Sequence, residues 1–523
     1  MVKFVKKYWI PILIFIFGLS VSWPLMRGGY FSHQDDLHII RIVEMRKCFS
    51  DFQIPCRWVP DMGWGNGMPL FNFYGVFTYY VGGIVSFFIG YLATAKFLFF
   101  VALTLGSYGI YLLVKDLWGK YAGLTSSILY LFAPYKALDI YVRGALTEAI
   151  ALTIIPFVLY FGYKKNYKLF TLTLFLFLIT HNIMTIIFLP VILLWMIYWN
   201  NLRTVIITFA IAFGLSSFFI LPAFLEKGLV QTQSLTRFEL DFRANFISIR
   251  QLFFDRVWGY GTSIPGPEGG MNFQIGWPHW LLVIVSVIYI FIGKFDKKTK
   301  FLVSGITGIF LLSIFMTHNK SSFIWEKFSI LEYFQFPWRF LSLSILTSSI
   351  LGGFVVLIVK EKFKKYLCAL IIVITVILNW NYFKPREFYN INDTQKLSGQ
   401  LWEEQRKGAI LDYLPITALE PREAAPKLNN FNYRSNKFTL DVNIPYETQI
   451  EIPVYYFPNW EVTVNGKVYP LTHDNILGRI SVFLPEGSYN VVGRFKNTAL
   501  RTIANTITLL SVIGFILWKK LEN

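Results

Sequence analysis

The stretch FTYYVGGIVSFFIGYL, residues 77–92, decides how this chain is threaded through a lipid bilayer. It is apolar enough to enter lipid, but Gly82, Gly83 and Gly90 interrupt it. If it crossed the membrane, every later loop would change side. If it is only embedded, all later lysine clusters fall on one side, as the positive-inside bias requires. These clusters lie at 115–120, 164–168, 294–300, 360–365 and 519–520. We therefore predict that residues 77–92 do not span and that the lysine-rich loops are cytoplasmic.

The other apolar runs predict a polytopic α-helical membrane protein. Hydrophobic residues make up 54% of the 523 residues and charged residues 15%, against about 25% charged residues in a soluble domain. Runs of roughly 20 apolar residues predict about 12 transmembrane helices. The basic N-terminus precedes the first run without a signal-peptide cleavage site, which predicts an uncleaved span. A multi-pass protein of the cell (plasma) membrane is expected, with both termini cytoplasmic.

The net charge of +18 does not indicate binding to nucleic acid, because the lysines lie in short clusters between apolar runs. Three cysteines exclude a disulfide-framed fold. The six histidines are dispersed and show none of the spacings of a zinc motif. The lipid bilayer is the first partner that this composition predicts.

The composition changes between the last two predicted spans. Alternating runs rich in β-formers predict strands at 438–442, 449–456, 460–464, 480–484 and 489–495, and Asn465-Gly466 predicts a hairpin. We predict a transmembrane module over residues 1–383, with an exoplasmic loop at 26–75. Residues 384–497 would form an exoplasmic domain, with a jelly-roll-like β-sandwich from about 431. Residues 498–523 would form the last transmembrane helix and a cytoplasmic tail.

The exoplasmic loop opens with SHQDDLH, residues 32–38, which contains the best candidates for chemistry. Asp35 and Asp36 would lie at the first turn of an amphipathic helix along the membrane surface, with His33 and His38 on either side. Two adjacent carboxylates can hold a divalent cation, or one can take a proton from an attacking hydroxyl. The alternative is structural, because acidic residues at a helix start cap its amides and match its dipole.

The same loop continues with Arg57-Trp58 and with GWGNGMP, residues 63–69. Glycines let a ligand approach the backbone closely, and aromatic rings can stack on a sugar. An ordered interfacial loop with tryptophan at headgroup level is the alternative. Cys48 and Cys56 share this loop and could form a disulfide.

Four more residues are candidates at the predicted membrane surface. Glu148 lies where a span begins, and Arg143 is either its structural partner or a ligand of a lipid phosphate. His181 interrupts an apolar stretch, where a hydrogen-bonded turn residue is the commoner role. Arg339, in the stretch FPWRF at 336–340, suits a lipid-linked phosphate or simply extends to the headgroups.

Together these segments resemble the GT-C superfamily of membrane glycosyltransferases. They resemble more closely the bacterial and archaeal multi-pass proteins labelled "6-pyruvoyl-tetrahydropterin synthase-related" and their YfhO-like relatives. The segments that carry the resemblance are HQDD (33–36), RW (57–58), GNGMPLFNFY (65–74), RGALTEA (143–149), THN (180–182), FPWRF (336–340) and YYFPNWEVTVNG (455–466). The pterin label has no chemical support, because a pterin synthase needs a compact histidine-rich zinc site.

The resemblance implies an inverting transfer of a sugar from a polyprenyl-phosphate donor to an extracytoplasmic glycan, lipid or surface-polymer acceptor. It implies catalytic roles for Asp35, Asp36 and Glu148, with Mg²⁺ or Mn²⁺ as a possible cofactor held by the two aspartates. The pair is DD rather than the DE or DxD common among relatives, which leaves open which aspartate is the base. The residues expected to bind substrate are His33, His38, Arg57, Trp58, Arg143, His181 and Arg339.

Two other functions compete with this hypothesis. A transporter or flippase of lipid-linked glycans would show inverted repeats and broken spans at mid-membrane. A non-enzymatic membrane assembly protein would use the β-domain to recruit partners and would tolerate substitution of Asp35 and Asp36.

Overall fold

The computed structural model describes residues 2–236, 240–255, 263, 270–408, 411–418, 423–426 and 428–518. These residues form two compact units. Unit 1 comprises Met1–Asp35, Lys96–Phe209 and Leu235–Asn390, and unit 2 comprises Asp36–Ala95, Ala210–Ser234 and Ile391–Asn523. Each unit therefore joins segments that are far apart in sequence.

Helices make up most of the described chain. In chain order they are α1 Val2–Val21, α2 His38–Ser50, α3 Leu70–Phe73, α4 Phe77–Ile89, α5 Tyr91–Trp118, α6 Lys120–Leu131, α7 Pro134–Ala137, α8 Leu146–Tyr163, α9 Tyr167–Leu178, α10 Asn182–Trp199, α11 Leu202–Leu225, α12 Ile249–Phe253, α13 Trp277–Ile292, α14 Lys297–Thr317, α15 Ser322–Lys327, α16 Leu341–Phe354, α17 Lys364–Asn379, α18 Asp393–Lys396, α19 Gly399–Lys407 and α20 Ala499–Leu517. Helix α16 lies in the core of unit 1, because all its residues are buried.

Eight helical stretches among the described residues are long and apolar enough to cross a membrane, so the predicted membrane class is confirmed. They are Tyr91–Trp118, Leu146–Tyr163, Asn182–Trp199, Leu202–Leu225, Lys297–Thr317, Pro337–Ile358, Glu361–Tyr382 and Ala499–Leu517. Shorter apolar helices cover Tyr8–Val21, Phe77–Ile89, Tyr167–Leu178 and Trp277–Ile292. Phe77–Ile89 is predicted not to span, so the other three shorter helices would bring the 8 long ones to 11. The count of about 12 spans stays a prediction.

The stretch at 77–92 forms α4, a helix of 13 residues that ends before Gly90. At 1.5 Å per residue it is about 20 Å long, less than the hydrocarbon thickness of about 30 Å. Gly82 and Gly83 do not break the helix but lie on its buried face. A Cβ at Gly83 would come within 2.9 Å of Met45 on α2, so glycine lets these two helices pack closely.

Helix α2 differs from the surface helix predicted after the aspartate pair. Nine of its 13 residues are buried, including the charged residues Arg41 and Glu44. Arg41 Nη1 donates to the hydroxyls of Tyr74 and Tyr79, each at 3.2 Å. A disulfide joins Cys48 at its C-terminal end to Cys56. The expected amphipathic helix is therefore wrong, because protein rather than lipid surrounds α2.

The C-terminal strands occur where the sequence predicts them. They are β3 Phe431–Tyr433, β4 Lys437–Ile444, β5 Thr448–Tyr455, β6 Trp460–Val464, β7 Lys467–Tyr469, β8 Arg479–Leu484 and β9 Gly487–Phe495, and β1 Tyr30–Phe31 pairs with β2 Phe388–Tyr389 in unit 1. One antiparallel sheet has the order β3-β4-β9-β6-β7, and β5 pairs with β8. Asn465 and Gly466, both with positive φ, form the predicted hairpin between β6 and β7. A β-sandwich stays a prediction, as do the domain boundaries.

Within unit 1, the loops that sequence analysis assigns to one membrane side do converge. The Tyr163 hydroxyl donates to the Asp116 carbonyl at 3.3 Å, and the Tyr198 hydroxyl donates to the Lys298 carbonyl at 3.0 Å. This convergence is expected whether or not residues 77–92 span, because a span there would move all of these loops to the other side together. Which side faces the cytoplasm stays a prediction, and Lys519 and Lys520 lie outside the described residues.

Candidate functional site

A buried cluster of four charged side chains lies at the start of α8. Arg143 Nη1 donates to Asp139 Oδ1, and Arg143 Nη2 donates to Glu148 Oε2 at 3.0 Å. Arg339 Nε lies 3.5 Å from the same Glu148 oxygen. Two guanidinium groups thus face two carboxylates, which compensates charges that would be costly to bury alone.

The local backbone brings these residues together. Residues Leu138–Val142 form a π-helical turn, and Gly144 follows with a φ of 66°. The chain then enters α8, where Glu148 lies in the first turn and its negative charge matches the helix dipole. The Tyr135 hydroxyl donates to Glu148 Oε1 at 2.9 Å, so both carboxylate oxygens accept hydrogen bonds. Such π-turns are frequent at functional sites.

The first predicted motif meets this cluster through its backbone. The amides of Gln34 and Asp35 donate to the carbonyls of Val142 and Arg143, each at 2.9 Å. A Cβ at Gly144 would lie 2.3 Å from Nδ1 of His33, so glycine is needed for this approach. The His33 ring is buried, and its Nε2 lies 3.2 Å from the Tyr30 hydroxyl. Residues 33–35 and the segment RGALTEA are therefore neighbours in unit 1.

Asp36 pairs with a lysine of the same unit. Its Oδ2 lies 2.5 Å from the ammonium group of Lys396, a side chain that is only 5% exposed. Helix α2 begins at His38 with Leu37 as its N-cap, so both aspartates precede the N-cap by one or two residues. The structural alternative for the pair stays open. His38 is buried, and its Nδ1 lies 2.9 Å from the Tyr79 hydroxyl.

Arg57 and Trp58, the two residues of the aromatic loop that were predicted to bind substrate, lie in the interior of unit 2. Trp58 is fully buried, donates to the Tyr433 hydroxyl at 2.6 Å and packs edge-on against Trp460. Arg57 is also buried, and its Nη1 donates to Asn72 Oδ1 at 2.7 Å. Both side chains are thus enclosed by protein, and their assignment as substrate-binding residues stays a prediction.

The other two candidates, His181 and Arg339, lie at the start of α10 and at the start of the 337–358 span. His181 is the N-cap of α10, and its Nδ1 accepts from the Met184 amide at 3.2 Å. Burial lowers the pKa of its imidazole to about 4, so the ring is neutral at pH 7. Arg339 Nη1 donates to the Phe334 carbonyl at 2.6 Å. His181 is thus the hydrogen-bonded turn residue that the sequence favoured.

Three residues of this region were not among the predicted site residues. Asp139 lies four residues before Arg143, and that spacing was a usable signal on a helix. Tyr135 and Lys396 gave no signal, because their partners Glu148 and Asp36 lie 13 and 360 residues away. Long-range pairing of this kind is decided by tertiary structure.

A divalent cation at the aspartate pair stays a prediction. The Lys396 ammonium lies against Asp36 Oδ2. No group of three or more His, Cys, Asp or Glu side chains is placed to hold a metal within the described ranges. We therefore derive no step through a metal ion.

Comparison with known proteins found structural similarity to enzymes of glycosyl transfer. Arabinofuranosyltransferase AftD from Mycobacteria matches with a TM-score of 0.46 and 11% identity, over 74% of this chain and 29% of that one. The apo oligosaccharyltransferase of Archaeoglobus fulgidus matches with a TM-score of 0.43 and 13% identity, over 81% of this chain and 62% of that one. The same enzyme, named AglB, was also solved in complex with an inhibitory peptide and a dolichol-phosphate. That structure matches with a TM-score of 0.39 and 14% identity, over 81% of this chain and 61% of that one.

The chain spans less than two thirds of the length of these solved structures. No protein-family model matches the chain, and no curated protein sequence matches it. With TM-scores below 0.5, the similarities establish neither a family nor an activity, so the function is inferred from the residues of this chain.

Proposed function

We propose that the protein is an inverting membrane glycosyltransferase of the GT-C type, which moves a sugar from a polyprenyl phosphate to an extracytoplasmic acceptor. The observation that carries the proposal is the backbone hydrogen bond from the Asp35 amide to the Arg143 carbonyl at 2.9 Å. It joins a segment with a candidate base to a cluster with two arginines. A base and cations are what the transfer of a sugar from a phosphate requires.

Asp35 is the proposed base. Its carboxylate takes the proton of the acceptor hydroxyl while that oxygen attacks the anomeric carbon from the face opposite the phosphate. The bond between the anomeric carbon and the phosphate oxygen breaks, and the phosphate leaves with the bonding electrons. Asp36 is less suited to this role, because its carboxylate already contacts the ammonium group of Lys396.

Arg143 and Arg339 are proposed to stabilise the charge of the departing phosphate. Arg339 is the more available of the two, because its Nε is 3.5 Å from Glu148, beyond ordinary hydrogen-bond length. Glu148 is proposed to position both guanidinium groups and not to transfer a proton, since its oxygens already accept from Arg143 and Tyr135. His33 and His181 would line the site, and the imidazole of His181 is neutral at pH 7 because burial lowers its pKa to about 4.

The acceptor is proposed to be a glycan, lipid or surface polymer on the exoplasmic side, bound or oriented by the C-terminal β-domain. The phosphate leaves as a stable anion, so one base and fixed positive charges suffice for the reaction.

The test compares Asp35→Asn with Asp36→Asn, a matched pair of adjacent isosteric changes. Purified protein in detergent is supplied with a panel of polyprenyl-phosphate sugars, and donor consumption is followed. We expect Asp35→Asn to lose at least about 100-fold in turnover, and Asp36→Asn to keep turnover within about tenfold while unfolding at a lower temperature.

Other outcomes are equally informative. Loss only in Asp36→Asn would reverse the assignment of the base, and equal activity of all three proteins would remove the pair from catalysis. If folded wild-type protein binds the lipid but consumes no donor in the panel, the transferase is rejected in favour of a transporter or assembly protein.

A further inference from the structure

A second set of polar residues surrounds a cavity at the other end of the unit 1 helices. The cavity has a volume of about 350 Å³ and is lined by Tyr163, Lys164, Lys165, Trp199 and Lys298. These residues come from the C-terminal ends of α8 and α10 and from the first turn of α14. Three lysines and two aromatic side chains thus meet at one opening.

The cavity lining has more lysines than acidic partners for them. Lys164 pairs with Asp116 at 3.0 Å. The Lys298 ammonium lies 4.2 Å from the centre of the Trp199 ring, a cation–π contact that holds it at the opening. Within the described part of the chain, neither Lys165 nor Lys298 forms an ion pair. The lining therefore carries two lysine charges in excess.

Two of these lysines occupy positions that do not favour the fold. Lys165 has a φ of 56°, a left-handed conformation that glycine or asparagine adopts more easily. Lys298 lies in the first turn of α14, where a positive charge opposes the helix dipole. Neither lysine is favoured by its local backbone position, and both line the cavity.

We propose that this cavity binds the phosphate headgroup of an anionic lipid. Basic cavities between membrane helices are suited to such headgroups. An acyl chain would find a path beside the cavity, because Ile197 on α10 and Phe301 on α14 are 48% and 68% exposed. The Phe301 ring stacks on Tyr198, whose hydroxyl binds the Lys298 backbone, so apolar surface continues directly from the lysines. A soluble phosphate would make no use of that surface.

The test uses the full-length protein in nanodiscs. One sample contains Lys165→Asn with Lys298→Gln. Its control contains Lys168→Gln with Lys300→Gln, which removes the same charge two or three residues further along the chain, outside the cavity lining. Asparagine suits the left-handed backbone at position 165, so the first pair should fold. Binding of phosphatidylglycerol against phosphatidylcholine is measured by native mass spectrometry, and thermal unfolding checks the fold.

We expect the cavity pair to lose roughly 30-fold in affinity for phosphatidylglycerol, about fivefold for each lysine and slightly more together. The control should change less than threefold. Equal losses in both samples would mean diffuse surface attraction and would overturn the proposal. So would equal binding of phosphatidylcholine, or full displacement of the lipid by millimolar inorganic phosphate, which would indicate a site for a soluble anion. If the double variant does not fold, Lys298→Gln against Lys300→Gln decides the question alone.

Discussion

The two ends of α8 carry similar kinds of side chain in opposite physical states. At its start, Glu148 is buried between Arg143 and Arg339, and every charge has a partner. At its end, about 24 Å away, Lys164 and Lys165 are exposed and only one has an acidic partner. Burial demands compensation and exposure does not, so the first end is neutral and ordered, whereas the second is positive and open. Charge at a helix terminus therefore indicates function only when its burial and its partners are known.

The largest expected effect that tests this comparison is on stability. Glu148→Gln removes one carboxylate from two buried arginines and should destabilise the protein by about 3–5 kcal/mol. Asp116→Asn, which breaks the exposed pair with Lys164, should cost less than about 1 kcal/mol. Equilibrium unfolding in mixed micelles measures both changes. Similar losses of stability at the two ends would contradict the claim that only the charges at the start of α8 depend on their partners.

Arg143→Lys should have the next largest effect on stability, because it keeps the positive charge but removes the guanidinium group that donates through two nitrogens. Arg143 binds Asp139 and Glu148 at once and lies 4.4 Å from the centre of the Trp338 ring. A lysine cannot reproduce two separate hydrogen bonds, so we expect a loss of about 2 kcal/mol in stability. The matched change at the other end, Lys298→Arg, should leave both stability and lipid binding nearly intact. A stable Arg143→Lys protein would show that the cluster needs only charge.

Salt should separate the two ends without any mutation. Raising the ionic strength from 0.1 M to 1 M shortens the screening length from about 10 Å to about 3 Å. Binding of phosphatidylglycerol to the exposed lysines should weaken by about tenfold, whereas the buried cluster should keep its contribution to the free energy of unfolding. Lipid binding that does not respond to salt would argue against an electrostatic site.

The smallest expected effect concerns pH. The pKa of His181 is lowered to about 4 in the folded protein, against an ordinary value of about 6.5. Between these values the unfolded chain binds more protons than the folded one, so stability falls as the pH drops from about 6.5 to 4 and is unaffected above that window. At pH 5 we expect the free energy of unfolding to be about 1 kcal/mol lower than at pH 7. The loss is kept small because the ring is partly exposed and solvent screens its charge. His181→Asn keeps an N-cap acceptor, and it should show a shallower decline than wild type.

Sequence reasoning succeeded where the signal is local. The C-terminal strands, the Asn465-Gly466 hairpin and the apolar spans follow from patterns a few residues long. It failed at α2, whose alternating apolar and charged residues match a helix on lipid. The pattern does not show that protein covers the charged face as well, with Tyr74 and Tyr79 bonded to Arg41.

The candidate site was half predictable for the same reason. Asp35, Arg143, Glu148 and Arg339 stand out as polar residues at the ends of apolar runs, where burying a charge requires a purpose. That Trp58 is a core residue could not be foreseen, since its neighbours Tyr433 and Trp460 lie about 400 residues further along. A tryptophan in a glycine-rich loop has the same sequence signature whether it faces a ligand or a second domain segment.

By itself, therefore, the sequence determined the membrane class, the candidate charged residues and the strands, because hydropathy, turn chemistry and the cost of burying charge act over a few residues. Only the tertiary structure decided which candidates are neighbours. It brought Asp35 to Arg143, paired Asp36 with Lys396 and enclosed Arg57 and Trp58. Those outcomes depend on contacts between segments distant along the chain, and the free energy of such contacts exists only once both segments are packed.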